Sequence, residues 1–130
     1  MRCASTLVSF LLIAISSHVG LSQAANRVNN IQYFIDAACE KCTVTGHVNE
    51  KIWVATTKTY AGDAEQQAAL IGKFKGLIEK KLHADTALTR HIVFRYQDSA
   101  GEIVKSYTAK EDKMKKRGYK ILKVDFDPVQ

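Results

Sequence analysis

Proline is almost missing from this chain: among its 130 residues only Pro128 is one. A sequence without interior proline holds no proline-rich linker. No internal repeat or low-complexity tract stands in for one, so a single domain is the economical arrangement. Asn-x-Ser/Thr triplets are absent, which excludes N-glycosylation. Long apolar runs are scarce too. Residues 7–15 (LVSFLLIAI) form one, about half of what a bilayer span needs, and no second follows. Also missing are His-Glu-x-x-His, Gly-x-Ser-x-Gly and any glycine-rich phosphate loop, so no common signature of hydrolysis or nucleotide binding is present.

The single apolar run has a specific context. Arg2 precedes it, and Ser22-Gln23-Ala24 follows with small residues at the two positions a signal peptidase reads. Residues 1–24 are therefore expected to be a secretory signal peptide, and residues 25–130 a single α+β domain of about 106 residues. Cleavage removes Cys3 and Arg2. The mature chain then keeps Cys39 and Cys42, with 18 basic residues against 13 acidic. A moderately basic secreted protein is drawn to acidic surfaces, but nothing here signals nucleic acid, and no membrane anchor is expected.

Residues 31–37 (IQYFIDA) and 43–48 (TVTGHV) read as extended segments around the cysteines, and 51–60 (KIWVATTKTY) as a strand. Asp63 with Gln66 makes a capping box, followed by Ala68, Leu70, Ile71, Phe74, Leu77, Ile78 and Leu82 at helical spacing. Gly72 and Gly76 within that stripe suggest either close backbone packing or a weakened helix. Period two returns at Ile92, Phe94 and Tyr96. Residues 98–101 (DSAG) read as a hairpin turn and 102–107 (EIVKSY) as its return strand. Thr108 with Glu111 opens a short basic helix that Gly118 closes, and 119–126 forms the last strand. This order predicts a ferredoxin-like split βαβ fold (βαββαβ): a four-stranded antiparallel sheet with two helices on one face, plus an extra N-terminal strand or hairpin.

The Cys39-x-x-Cys42 pair admits four chemistries. A thioredoxin-like site needs a helix after the first cysteine, whereas Thr43, Val44 and Thr45 favour extended structure. A copper clasp on this fold belongs between the first strand and the first helix. Zinc would recruit His47 with His83 or His91. A local disulfide is the simplest reading in an oxidising compartment, so no metal or other cofactor is expected. The histidines are the groups suited to acid–base work near neutrality, and one paired with Glu50, Glu102 or Arg95 would suit a small secreted ribonuclease. Lys113, Lys115, Lys116 and Arg117 form a basic patch. It reads as a phosphate or acidic-partner site, a dibasic processing site at Lys116-Arg117, or a solvated helix end complementing the dipole.

The C-terminal half resembles the propeptide-type inhibitors of subtilisin-like serine proteases. Gly101 stands where their hairpin glycine does, Tyr107-Thr108-Ala109-Lys110-Glu111 is similar to their helix opening, and residues 121–127 (ILKVDFD) to the strand before their inhibitory tail. The resemblance implies a non-enzymatic protein that inhibits an extracellular protease. Its partner-binding tail would be Asp125, Phe126, Asp127, Pro128, Val129 and Gln130, lying extended in the protease cleft. In format the chain is also similar to small secreted fungal effectors and killer toxins with an α/β sandwich, which implies action on a host or competitor target.

Overall fold

In place of several short N-terminal segments, one long hairpin forms. The computed structural model describes residues 30–129, so the expected signal peptide, residues 25–29 and Gln130 lie outside the described residues. Strand β1 spans Asn30–Val44, running straight through both cysteines, and β2 spans His47–Thr56. Gly46 makes the turn between them at φ +85°, a conformation that glycine adopts without steric cost. Strand β3 is Tyr60–Asp63. A 3₁₀ turn, Ala64–Gln66, leads into helix α1, Gln67–Leu82, and a short helix α2, Thr86–Thr89. Strand β4 is Ile92–Gln97, helix α3 Ala100–Lys116 and strand β5 Lys120–Val124.

Strand β1 is the hub of the sheet. Asp36 and Ala37 pair with both β2 and β4, so those two strands occupy opposite edges of β1. Gln32 and Tyr33 pair with both β3 and β4, which puts β3 on the same edge as β2. β5 then joins β2 in parallel. The result is one curled, half-barrel-like mixed sheet with three helices.

The α+β class is as expected, but the sheet is not the four-stranded antiparallel one, and the two long helices do not share a face. Alternation along β1 shows this directly. Ile31, Tyr33, Ile35 and Ala37 join Leu70, Phe74 and Ile78 of α1 in one core. Phe34 on the other side joins Trp53, Ala55 and, from α3, Ile103, Tyr107 and Met114 in a second. Period two sends neighbouring side chains to opposite faces, so a strand that is apolar at successive positions asks for cover on both. Each fully buried aromatic or aliphatic side chain contributes about 1.5–3 kcal/mol here.

The stretch read as a hairpin and return strand is instead the start of α3. Ser99 Oγ accepts the Glu102 amide at 3.2 Å, a side-chain cap, and the helix then runs on through Thr108. Ser-x-x-Glu is a capping box in its own right. The same four residues also carry turn signals, and the β-branched pair Ile103-Val104 tips a local reading toward strand. Burial of Ile103, Tyr107 and Met114 on one helix face decides the matter.

Candidate functional site

Two features of β4 set up the site. Among the described residues it pairs only with β1, leaving its outer edge without a strand partner. Its register with β1 (Asp36 opposite Val93, Phe34 opposite Arg95) turns Val93 and Arg95 toward the α3 face. Ser99 ends the loop after β4 and starts α3 back across that face. Between strand edge and helix lies a cleft of about 510 Å³, with Val93 and Arg95 on one wall and Ser106, Ala109, Lys110 and Lys113 on the other. A smaller cleft of about 340 Å³ adjoins it at Asp36, Arg90 and His91.

The charges under this cleft are arranged unequally. Asp36 is buried, and both its oxygens are engaged: Oδ2 accepts the Trp53 indole Nε1–H at 2.7 Å and Oδ1 accepts Arg95 Nε–H at 2.8 Å. A buried carboxylate without such partners would cost several kcal/mol. Arg95 is half-exposed and reaches the cleft wall. Lys110 and Lys113 line the same cleft, and no carboxylate does. The Lys110 ammonium is pushed below the ordinary lysine range by desolvation first and by Arg95 next, while Asp36 pulls the other way. The cleft thus holds more positive charge than it neutralises.

No family model, curated protein or solved structure matches this chain.

Cys39 and Cys42 are joined in a disulfide with Cα atoms 6.0 Å apart. The bond spans a bulge: Cys39 pairs with Ile52 and Cys42 with Glu50, three steps on β1 against two on β2. No group of three or more His, Cys, Asp or Glu is placed to hold a metal ion among the described residues. His47 does meet Glu50, Nδ1 to Oε2 at 2.6 Å, but at the hairpin end, remote from both clefts of β4. His83 is the left-handed residue closing α1, and His91 borders the smaller cleft, so the three histidines among the described residues do not converge.

The basic patch is the last turn of α3, with Arg117 as its C-cap. Lys113 turns into the cleft, Lys115 lies 3.7 Å from Glu111, and Arg117 stacks over the Tyr119 ring at 6.0 Å. In the C-terminal segment Phe126 is buried in the α1-side core. The Tyr60 hydroxyl donates to the Phe126 carbonyl at 2.7 Å, and Lys73 Nζ to the Pro128 carbonyl at 2.8 Å. Asp125, Asp127 and Val129 are exposed. Sequence reasoning singled out Arg95, Lys113 and the Lys110 segment separately. What it missed is Asp36, a lone acid in an apolar strand, and that was the available signal.

Proposed function

We propose that this is a secreted, non-catalytic protein that works by binding another extracellular protein, with the β4–α3 cleft as its contact surface. The observation that carries this reading is the under-neutralised cleft beside a strand edge that no other strand covers among the described residues, none of which lends the cleft lining a carboxylate. The leader-like residues 1–24 and the Cys39–Cys42 disulfide support export to an oxidising compartment. No helix among the described residues is long and apolar enough to cross a membrane.

Protease inhibition through the tail requires residues 125–130 to leave the body of the protein. Phe126 in the core and two hydrogen bonds at Phe126 and Pro128 weigh against that, so the cleft is the better surface. Deployment as an effector or toxin-like protein is the same reading with a host or competitor target.

The test immobilises the secreted protein and measures what it retains from extracellular fluid of its source. Ala109→Trp adds bulk to the cleft from an exposed helix position, above Phe94 and Ile103 on its lining. The expected result is a specific partner retained by the parent and by Val129→Ser, and lost with Ala109→Trp. Retention lost with Val129→Ser alone, together with stoichiometric inhibition of a subtilisin, would transfer the function to the tail.

A further inference from the structure

We infer that the β4–α3 cleft takes an acidic, extended segment of its partner, added as a further strand along the outer edge of β4 with its carboxylates on Lys110, Lys113 and Arg95. The inference rests on the binding reading above and names the chemistry of the occupant.

β4 and β5 are both edge strands, and they differ in how the edge is protected. Exposed edges are ordinarily guarded by charged residues, lysine above all, because unpaired N–H and C=O groups recruit other strands. β5 follows this rule with exposed Lys120, its second lysine, Lys123, being paired with Glu111. β4 does not. Its exposed side chains include Val93 and Tyr96, 40% and 55% accessible, and Arg95 is tied to Asp36 beneath it. An unguarded edge flanked by a helix is the geometry of strand addition, in which main-chain hydrogen bonds supply affinity and alternate side chains supply specificity.

Side chains of an added strand would alternate between the two faces of the sheet. Those turned to the α3 side meet Ser106 and Ala109, small enough to leave room, with Lys110 and Lys113 beside them. Three cations and no carboxylate line the cleft, two from α3 and Arg95 from β4, and Asp36 has both oxygens occupied, so the segment must bring negative charge itself. Other occupants fit less well. The chain's own C-terminal tail is held on α1 by Lys73. A second copy paired edge to edge would set Arg95 and its neighbouring lysines against their own equivalents, a like-charge contact.

The probe is a fluorescein-labelled octapeptide of alternating Val and Glu, titrated against the secreted protein by fluorescence anisotropy at about 0.1 M salt, where charges more than about 10 Å apart are largely screened. Saturable binding is expected, with no binding of the Val-Lys octapeptide. Methylating alternate backbone amides of the Val-Glu peptide should weaken it at least tenfold. Lys110→Gln combined with Lys113→Gln should do the same while leaving thermal stability unchanged. Arg95 is left intact because it holds Asp36. Equal binding of the N-methylated peptide, or displacement by heparin without sensitivity to methylation, would assign the cleft to polyanions in general and overturn strand addition. If Ala109→Trp abolishes partner retention while the Val-Glu peptide fails to bind, the contact surface stands and its acidic-strand occupant is wrong.

Discussion

At the scale of single residues, Asp36 is the polar group on which most depends. It sits on the α3 face of β1 and joins β2 and β4 by accepting from Trp53 and Arg95. Asp36→Asn keeps the shape but replaces one acceptor by a donor facing a donor, and leaves Arg95 uncompensated. A loss of about 1–3 kcal/mol is expected, since half-exposed Arg95 regains water while the buried Trp53 N–H loses its acceptor, read from the urea midpoint. Tyr33 is the opposite case. It is fully buried, its hydroxyl has no hydrogen-bond partner, and burial, then Tyr60, pushes its pKa up to about 12. Tyr33→Phe removes an unsatisfied polar atom and should be neutral or stabilising by about 1 kcal/mol at pH 7. Because the folded-state pKa is the raised one, titration of Tyr33 leaves stability unchanged below about pH 10 and lowers it as pH rises toward about 12. Urea midpoints at pH 9 and pH 11 should therefore fall less in Tyr33→Phe than in the parent. Some slope remains, since burial also raises Tyr60 and Tyr107.

At the scale of elements, α1 and the bulge in β1 make the clearest statements. Gly72 and Gly76 are exposed, and a Cβ added at either meets nothing within 4 Å, so they mark a weakened helix and not a close contact. Gly72→Ala and Gly76→Ala should each raise unfolding free energy by about 0.5–1 kcal/mol, measured by chemical denaturation. The disulfide closes a very short loop, so Cys39→Ala with Cys42→Ala should cost about 2 kcal/mol or less and leave the far-ultraviolet spectrum unchanged. A fully unfolded double variant would show that the clip is needed to hold the bulge. The stripe of α1 was legible because Leu70, Phe74 and Ile78 repeat at four-residue steps, but its start was not: Asp63 caps a 3₁₀ turn, accepting the Glu65 amide, and the α-helix begins only at Gln67. The start of α3 was not legible either. Ser99, Gly101 and the Ile103-Val104 pair suit a hairpin as well as a helix start, and only a partner surface under Ile103, Tyr107 and Met114 distinguishes them.

At the scale of the whole molecule, the sheet separates two cores, and the C-terminal segment closes the one under α1. Phe126 packs near Tyr60 and Phe74, ring centroids 5.7 and 6.2 Å away. Phe126→Ala should cost about 3–5 kcal/mol in equilibrium unfolding, as for other buried aromatic truncations. A change near zero would mean that the tail is free to act in a protease cleft after all. The alternation of Val124 and Phe126 inward against Asp125 and Asp127 outward was readable in the sequence. That the inward face meets the protein's own helix was not, since a period of two names a buried face without naming what buries it.

Local chemistry by itself determined the α1 stripe, the α+β class and the strand character of the N-terminal half, and favoured a disulfide among four chemistries for the cysteine pair, because each depends on residues within a few positions of one another. Only the tertiary structure decided that β1 is a hub covered on both faces, that residues 102–107 are helical, and that Asp36, Arg95 and Lys110 come together beneath an open edge. These outcomes turn on which strand pairs with which, and pairing is settled by burial summed over contacts far apart in the chain.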